Sequence, residues 1–520
     1  MKRARQVHTV CGLVRSRSAM SVLAPPLAAI RMIRARSPTA AGVPPLNRDH
    51  DDSMRRSAAL RTTGATGRPS TGDFFKAARS IAKDTRPLGA TPGNEPRDRY
   101  ETAMGLSCRI HRGAHEIGGN CIELESRGTR IVLDLGRPIT ARDGIDVPLP
   151  SVPGLDGSDP SLLGVVLSHP HPDHYGLMSK IAPTVPLFMG EAASRILVEA
   201  AFFTPGGLAA KPRGYLRHRS PFELGPFRIT PFLNDHSAFD AYSLLVEADG
   251  RRLFYTGDIR AHGRKAWLFE ELLRRPPDHV DVLLMEGTHV RADSDGTQRG
   301  PSEIDVEAAC ADTFATTRGM ALALYSPQNI DRLVSMYRAA LRTGRDLIID
   351  LYTAAIAAAT GLASIPQAGW PRVRVYLPKA QKAKVLRHGA FARTDAVRDR
   401  RIYADELRDR REKLVMTFRA SMTDELVATG CLDGAIAVWS MWPGYLRDPS
   451  GVALAATFEA RSIPMRIHHS SGHAFIPDLQ RLVAAIAPRR LVPIHSFAAD
   501  RFPCFFPRVA PEIDGRWWAA

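Results

Sequence analysis

From Cys108 onward the chain sets short apolar runs between polar turns, the texture of strands joined by loops. CRIHRGAHEIGGNCIELESRGTRIVLDLG reads as strand-like runs around a Gly-rich turn, and further runs follow at LLGVVLSH, RRLFYTGD, VDVLLMEG and LVPIHS. Each of the later runs ends on a polar residue with usable chemistry: Asp134, His169, Asp258, Glu286 and His495. A polar residue at the end of a buried strand, followed by a loop, is how an α/β scaffold gathers distant side chains at one rim. PQNIDRLVSMYRAALRTG predicts an amphipathic helix closed by glycine, with Ser326 as its cap and Pro327 in its first turn, ahead of the strand RDLIIDLY. IPMRIHH predicts a strand and PDLQRLVAAIAP a closing helix; no internal repeat is visible.

Residues 1–104 break this texture, being rich in Arg, Pro, Ala, Ser and Thr with little periodicity. They carry 19 Lys and Arg against 8 Asp and Glu, so +11 of the chain's net +16 resides there and is poor evidence for a nucleic-acid groove elsewhere. Met104 stands directly before the first well-patterned strand. The expectation is therefore a disordered basic extension or a start codon placed too far upstream, rather than a transit peptide. No run of 18 apolar residues exists, so no membrane span is expected. The six cysteines are scattered without a CxxC pair, which argues against a disulfide framework and fits a reducing, cytoplasmic setting. Residues 371–419 hold 15 Lys and Arg against 6 Asp and Glu; a nucleic-acid channel and a solvated face of alternating signs, as in ELRDRREK, account for them equally.

The densest chemistry is LSHPHPDHYG, where His169, His171, Asp173 and His174 fall within six positions. Imidazole and carboxylate together suit zinc and similar divalent ions. In an extended loop alternate residues point the same way, so His169 and His171 can share one ion while Asp173 and His174 turn to a second. The prolines at 170 and 172 stiffen the loop and lower the entropy lost on fixing the ligands. With only 17 histidines in the chain, a chance cluster of this pattern is remote. Two ions need more donors than one loop offers, and His236 in NDHSAFDAYSLLVE, Asp258 in FYTGDIR and His495 in PIHSF are the candidates. A further phosphate contact is suggested by Ser471 and Gly472, which precede a helix start, because helix N-termini offer free N–H donors; Ser326 is as well explained by ordinary capping.

Taken in order, these motifs resemble the metallo-β-lactamase-fold hydrolases, and among them the β-CASP nucleases such as ribonuclease J. The resemblance spans roughly residues 105–500. It rests on the EIGGN turn, Asp134, HxHxDH at 169–174, His236, Asp258 in TGD, Glu286 in MEGTH, HSSGHA at 469–474, and PIHS, where Ser496 replaces the family's glycine. It implies an α/β fold: an αββα sandwich over 105–302 and 463–520, with an inserted β-CASP domain over 303–462. It also implies a pair of zinc ions, with manganese as the alternative. His169, His171 and His236 would hold the first ion; Asp173, His174 and His495 the second, with Asp258 bridging and Asp134 orienting a ligand histidine. Asp173, Glu286 and His473 would be the catalytic groups, with Glu286 and His473 as an acid/base pair.

The function so implied is hydrolysis of RNA phosphodiesters, exonucleolytic, endonucleolytic or both. DNA processing by the same site is one alternative, because a hydroxide nucleophile needs no 2′-OH. Hydrolysis of small thioesters or lactones is another, disfavoured because a small substrate needs no inserted domain. A catalytically silent RNA-binding relative ranks last, since every expected ligand is present. Ribonuclease J carries a further C-terminal domain linked to oligomer formation, whereas 25 residues follow His495 here, so a shorter relative is expected and the oligomeric state is left open.

Overall fold

The computed structural model describes residues 105–520 apart from 142–144, 206 and 210; the expected basic extension over 1–104 lies outside the described residues. Three sheets organise the chain. The first has seven strands. Ser107–Arg112, Cys121–Ser126 and Thr129–Leu133 form an antiparallel meander, continued in parallel by Leu162–Val166, Leu187–Gly190 and Gly214–Leu216 and edged by Trp517–Ala519. The second has six: an antiparallel run from Phe222–Leu224 to Arg251–Tyr255, then Val282–Glu286 and Arg490–Ile494 in parallel.

These two sheets face each other across one core in which Ile110, Leu124, Ile131 and Val166 meet Phe227, Leu244, Leu253, Leu284 and Val492. Outside the first sheet lies the helix Glu191–Phe203, whose Ala193 and Leu197 pack on Val165 and Leu187. Outside the second lie Ala266–Arg274 and Ile476–Ile486, whose Phe269, Leu272, Leu479 and Leu482 cover Phe254 and Leu283. The result is an αββα sandwich. Val282–Glu286 is buried at all five positions because it runs parallel between two neighbours, and its sequence VLLME is accordingly apolar on both faces up to the final glutamate.

Between Glu286 and the last histidines the chain builds a third sheet of six strands, all parallel. The order is Val373–Tyr376, Asp346–Asp350, Leu414–Thr417, Ala321–Leu324, Ile436–Trp439, Met465–Ile467. Helices Glu303–Thr316 and Ile330–Arg342 supply Phe314, Leu333 and Met336 to one face. Met422, Leu426, Leu454 and Phe458 cover the other.

The helix expected after YSPQ starts later than its sequence suggests. It runs Ile330–Arg342, and its cap is Asn329, whose side chain accepts the Arg332 N–H; Ser326 is exposed and its carbonyl accepts the Asn329 N–H at 3.0 Å. Asparagine caps as well as serine, and the helix begins one turn downstream. Ser326 therefore offers no helix N-terminus for a phosphate.

Candidate metal centre

The strand Leu162–Val166 delivers His169 to the rim, and Pro172 then nucleates a single helical turn, Pro172–Tyr175. This turn, rather than a fully extended loop, carries Asp173 and His174, and it leaves the His174 ring centroid 4.0 Å from that of His169. Main-chain bonds clamp it to the segment after Asp134: Leu135 N–H to His174 O at 2.8 Å and Arg137 N–H to Pro172 O at 3.0 Å. Gly136 is obligatory there, since a Cβ would lie 1.7 Å from the Asp173 carbonyl oxygen.

Seven donors converge in two groups. His169, His171 and His236 each offer one ligand atom, and so do Asp173, His174, Asp258 and His495; within each group these atoms lie within 4.8 Å of one another. The groups adjoin: Asp258 Oδ2 is 3.2 Å from His174 Nε2 and 3.5 Å from His169 Nε2. Whether these side chains suit metal ions can be tested on their hydrogen bonding. Nε2 of His169, His174 and His495 and both carboxylate oxygens of Asp258 are buried without a hydrogen-bond partner, although such groups are costly to leave unsatisfied. Each imidazole is meanwhile bonded through its other nitrogen. His174 Nδ1 donates to Asp134 Oδ2 at 2.7 Å, His169 Nδ1 meets Ser168 Oγ at 3.0 Å, His236 Nδ1 donates to Gly472 O at 2.5 Å, and His495 Nδ1 meets Asn120 Oδ1 at 3.0 Å. Ligand histidines are oriented in this way. The donor set fits two divalent cations.

Electrostatics divide the groups. Burial pushes His171 down to about 4 and holds His169 and His236 well below the usual imidazole value, so the first group presents neutral lone pairs. At His174 burial acts the same way, but Asp258, Asp173 and Asp134 outweigh it and raise the ring well above that value. His495, in the same group, is held below the usual imidazole value, chiefly by burial. Burial would raise Asp258, yet His174, His495 and His473 hold its carboxyl well below the carboxylate range.

Asp134 anchors the whole: besides His174 it accepts from Ser168 N–H at 2.6 Å, Ser168 Oγ at 2.7 Å and Tyr255 OH at 2.5 Å. It sits at φ +60° and His495 at φ +52°, a left-handed conformation that costs non-glycine residues about 1–3 kcal/mol and that tertiary contacts must hold. For His495 the contacts include its own N–H to Gly113 O at 2.7 Å.

Beside the two groups stands His473, its Nδ1 3.3 Å from Glu286 Oε1 and 3.1 Å from Thr288 Oγ1, with its ring centroid 5.5 Å from those of His236 and His495. Burial lowers its pKa, but Glu286 and Asp258 overcome this and bring it to about 9. Gly472 and Ser471, expected at a phosphate, make bonds that orient the site. Gly472 O holds His236; Ser471 O accepts from Arg260 Nη1 at 3.1 Å and from His262 Nε2 at 3.0 Å, and Ser471 Oγ meets His289 Nε2 at 2.8 Å.

Sequence reading missed Asn120, Ser168, Tyr255, Thr288 and, above all, Arg260. Fully buried, Arg260 pairs with Asp331 Oδ2 at 2.5 Å, Asp235 Oδ1 at 3.3 Å and Glu303 Oε1 at 3.5 Å. It thereby joins the loops of Asp258, His236 and Ser471 to helices of the third-sheet layer. Its place two residues after Asp258 was the only signal.

A family model described as a β-lactamase superfamily domain matches residues 135–322. Ribonuclease J of Mycobacterium tuberculosis H37Rv is 26% identical over 257 residues, covering 47% of this chain and 44% of that protein. Ribonuclease J of Sinorhizobium meliloti is 24% identical over 374 residues, covering 68% and 61%, and that of Mycolicibacterium smegmatis 22% over 406 residues, covering 75% and 69%. The match to the M. tuberculosis and Helicobacter pylori relatives spans less than half of their length. Among solved structures, a protein of unknown function from Enterococcus faecalis V583 shares the fold at TM-score 0.62 and 19% identity, over 80% of this chain and 100% of that one.

Fold and family model together define a metallo-β-lactamase-fold protein. Within that class the chain is ribonuclease J-like.

Proposed function

We propose that this protein is a metal-dependent phosphodiester hydrolase of the ribonuclease J type that cuts RNA, with the third-sheet layer as a β-CASP-type inserted domain that runs from residue 303 past the expected boundary at 462 to include the strand Met465–Ile467. The observation that carries the reading is the inward set of unpartnered donors on His169, His174, Asp258 and His495 beside the Glu286–His473 pair. His169, His171 and His236 would hold one cation and Asp173, His174 and His495 the other, with Asp258 shared; zinc suits the donors, and manganese is the alternative. Such a pair supplies a water of lowered pKa and neutralises charge on a phosphate oxygen.

The chain's own residues do the rest. Asp134, Gly472 and Asn120 keep the ligand rings aimed. Glu286 and Thr288 fix the Nδ1 side of His473, so its Nε2–H is the proton available to the leaving oxygen, and the Glu286 carboxylate favours the charged ring. No described helix is long and apolar enough to cross a membrane, and a chain with free cysteines at 108, 121, 310, 431 and 504 suits the cytoplasm.

The test offers the purified full chain, with zinc or manganese, 5′-phosphorylated RNA, DNA of the same sequence and a thioester. RNA cleavage supports the reading, and its product ladder separates exonucleolytic from endonucleolytic action. Faster cleavage of DNA would move the assignment to DNA processing, and cleavage of the thioester alone would overturn it.

A further inference from the structure

Two large aromatic side chains stand exposed side by side on one short turn: Trp442 is 55% and Tyr445 51% accessible, with ring centroids 5.4 Å apart and planes at 89°. Single exposed hydrophobics are ordinary, but an adjacent pair held rigidly is not. The turn leaves the strand Ile436–Trp439 and is pinned at Trp442 O, which accepts from Tyr445 N–H at 3.2 Å and Trp439 Nε1 at 3.4 Å. The indole lies against Gly444, where a Cβ would come within 2.2 Å of its ring atoms. Its orientation is therefore set before any ligand arrives.

The place of this turn matters as much as its rigidity. Ser440, two residues before Trp442, donates from Oγ to His468 O at 2.5 Å, and His468 N–H bonds Trp439 O at 3.0 Å. His468 opens the stretch that ends at His473. The aromatic turn and the His473 loop thus leave adjacent parallel strands at the same, C-terminal end, where ligands of such sheets gather. Ser440 is in turn gripped by Arg332, buried and paired with Glu303 at 2.9 Å.

We propose that Trp442 and Tyr445 form a base-stacking subsite for single-stranded nucleic acid at the strand ends that also send out the His473 loop. The inference rests on the nuclease reading. An edge-to-face pair leaves a ring face uncovered, and every nucleobase has a face to set on it, so the subsite grips the strand without reading its sequence. A small thioester has no use for such a surface.

Binding rather than turnover tests this. Fluorescence anisotropy is followed for a labelled single-stranded oligoadenylate in EDTA, with the full chain, Trp442→Ala, Tyr445→Ala and Trp442→Phe. Stacking contributes about 1–3 kcal/mol per base, so each alanine variant should weaken binding by about 5- to 150-fold, and Trp442→Phe should recover most of the loss. Oligomers made abasic at successive positions should show one position at which the wild type loses affinity and Trp442→Ala loses none further. Equal binding of all oligomers by the wild type and both alanine variants would overturn the subsite. If stacking-dependent binding is present but the zinc- or manganese-loaded wild type cleaves no RNA, the nuclease reading fails and the subsite stands.

Discussion

Gly472 O accepts the Nδ1 proton of His236 at 2.5 Å, across 236 positions of sequence. The bond leaves Nε2 of His236 free to face His171 Nδ1, 3.1 Å away. The chain's return from the third sheet to the sandwich therefore also aims a candidate metal-ligating ring.

Gly472→Ala should loosen that ligand. Its Cβ would fall 2.6 Å from Ser237 Oγ and 3.1 Å from His236 Cε1, so the ring or the loop must move. Loss of an orienting partner costs about 10–100-fold in metal affinity. Competition with a chelator of known affinity reads the effect, while an unchanged circular dichroism spectrum would place it at the site and not in the fold.

Asp134→Asn keeps the shape but removes the charge and leaves one oxygen to serve donors from Ser168, Tyr255 and His174. Metal affinity should fall by a similar factor of about 10–100. Because the site is buried, stability should also drop by about 1–3 kcal/mol, measured by urea unfolding.

His473→Gln should lower kcat by about 100- to 10,000-fold with metal content unchanged, as expected of a proton donor that binds no ion. Glu286→Gln removes the carboxylate that raises His473 most, so the ring loses its proton at lower pH. The alkaline limb of the pH–kcat profile should then shift downward; a profile that stays in place would exclude His473 as the acid.

Glu303 lies in the buried cluster with Arg332 and Arg260. Burial works against its charge, yet the two guanidiniums hold it down to about 2. Its folded pKa is depressed, so its contribution is present above the unfolded value of about 4.3 and is lost as pH falls towards 2. That contribution is on the order of 3 kcal/mol. Glu303→Gln should flatten the acid limb of stability against pH, and it should destabilise the protein at pH 7 by about 3–5 kcal/mol because both arginines keep their charge without it.

What the sequence determines by itself is local. Runs such as VLLME and RDLIIDLY announce buried strands, because a short continuous apolar run is a property of neighbouring positions. The residue types at their ends, His169, Asp258 and His495, announce metal chemistry for the same reason. Helix onset was less legible: Ser326 and Asn329 are both good caps, and the helix starts at the second. Only tertiary structure decided which partner aims each ring, because Asn120 with His495, Gly472 with His236 and Tyr255 with Asp134 meet through strand order in the two facing sheets. Arg260 shows the limit most clearly. A lone arginine reads as a solvated surface charge, and it is buried only because Asp235, Glu303 and Asp331, from three separate elements, close around it and offset the loss of water.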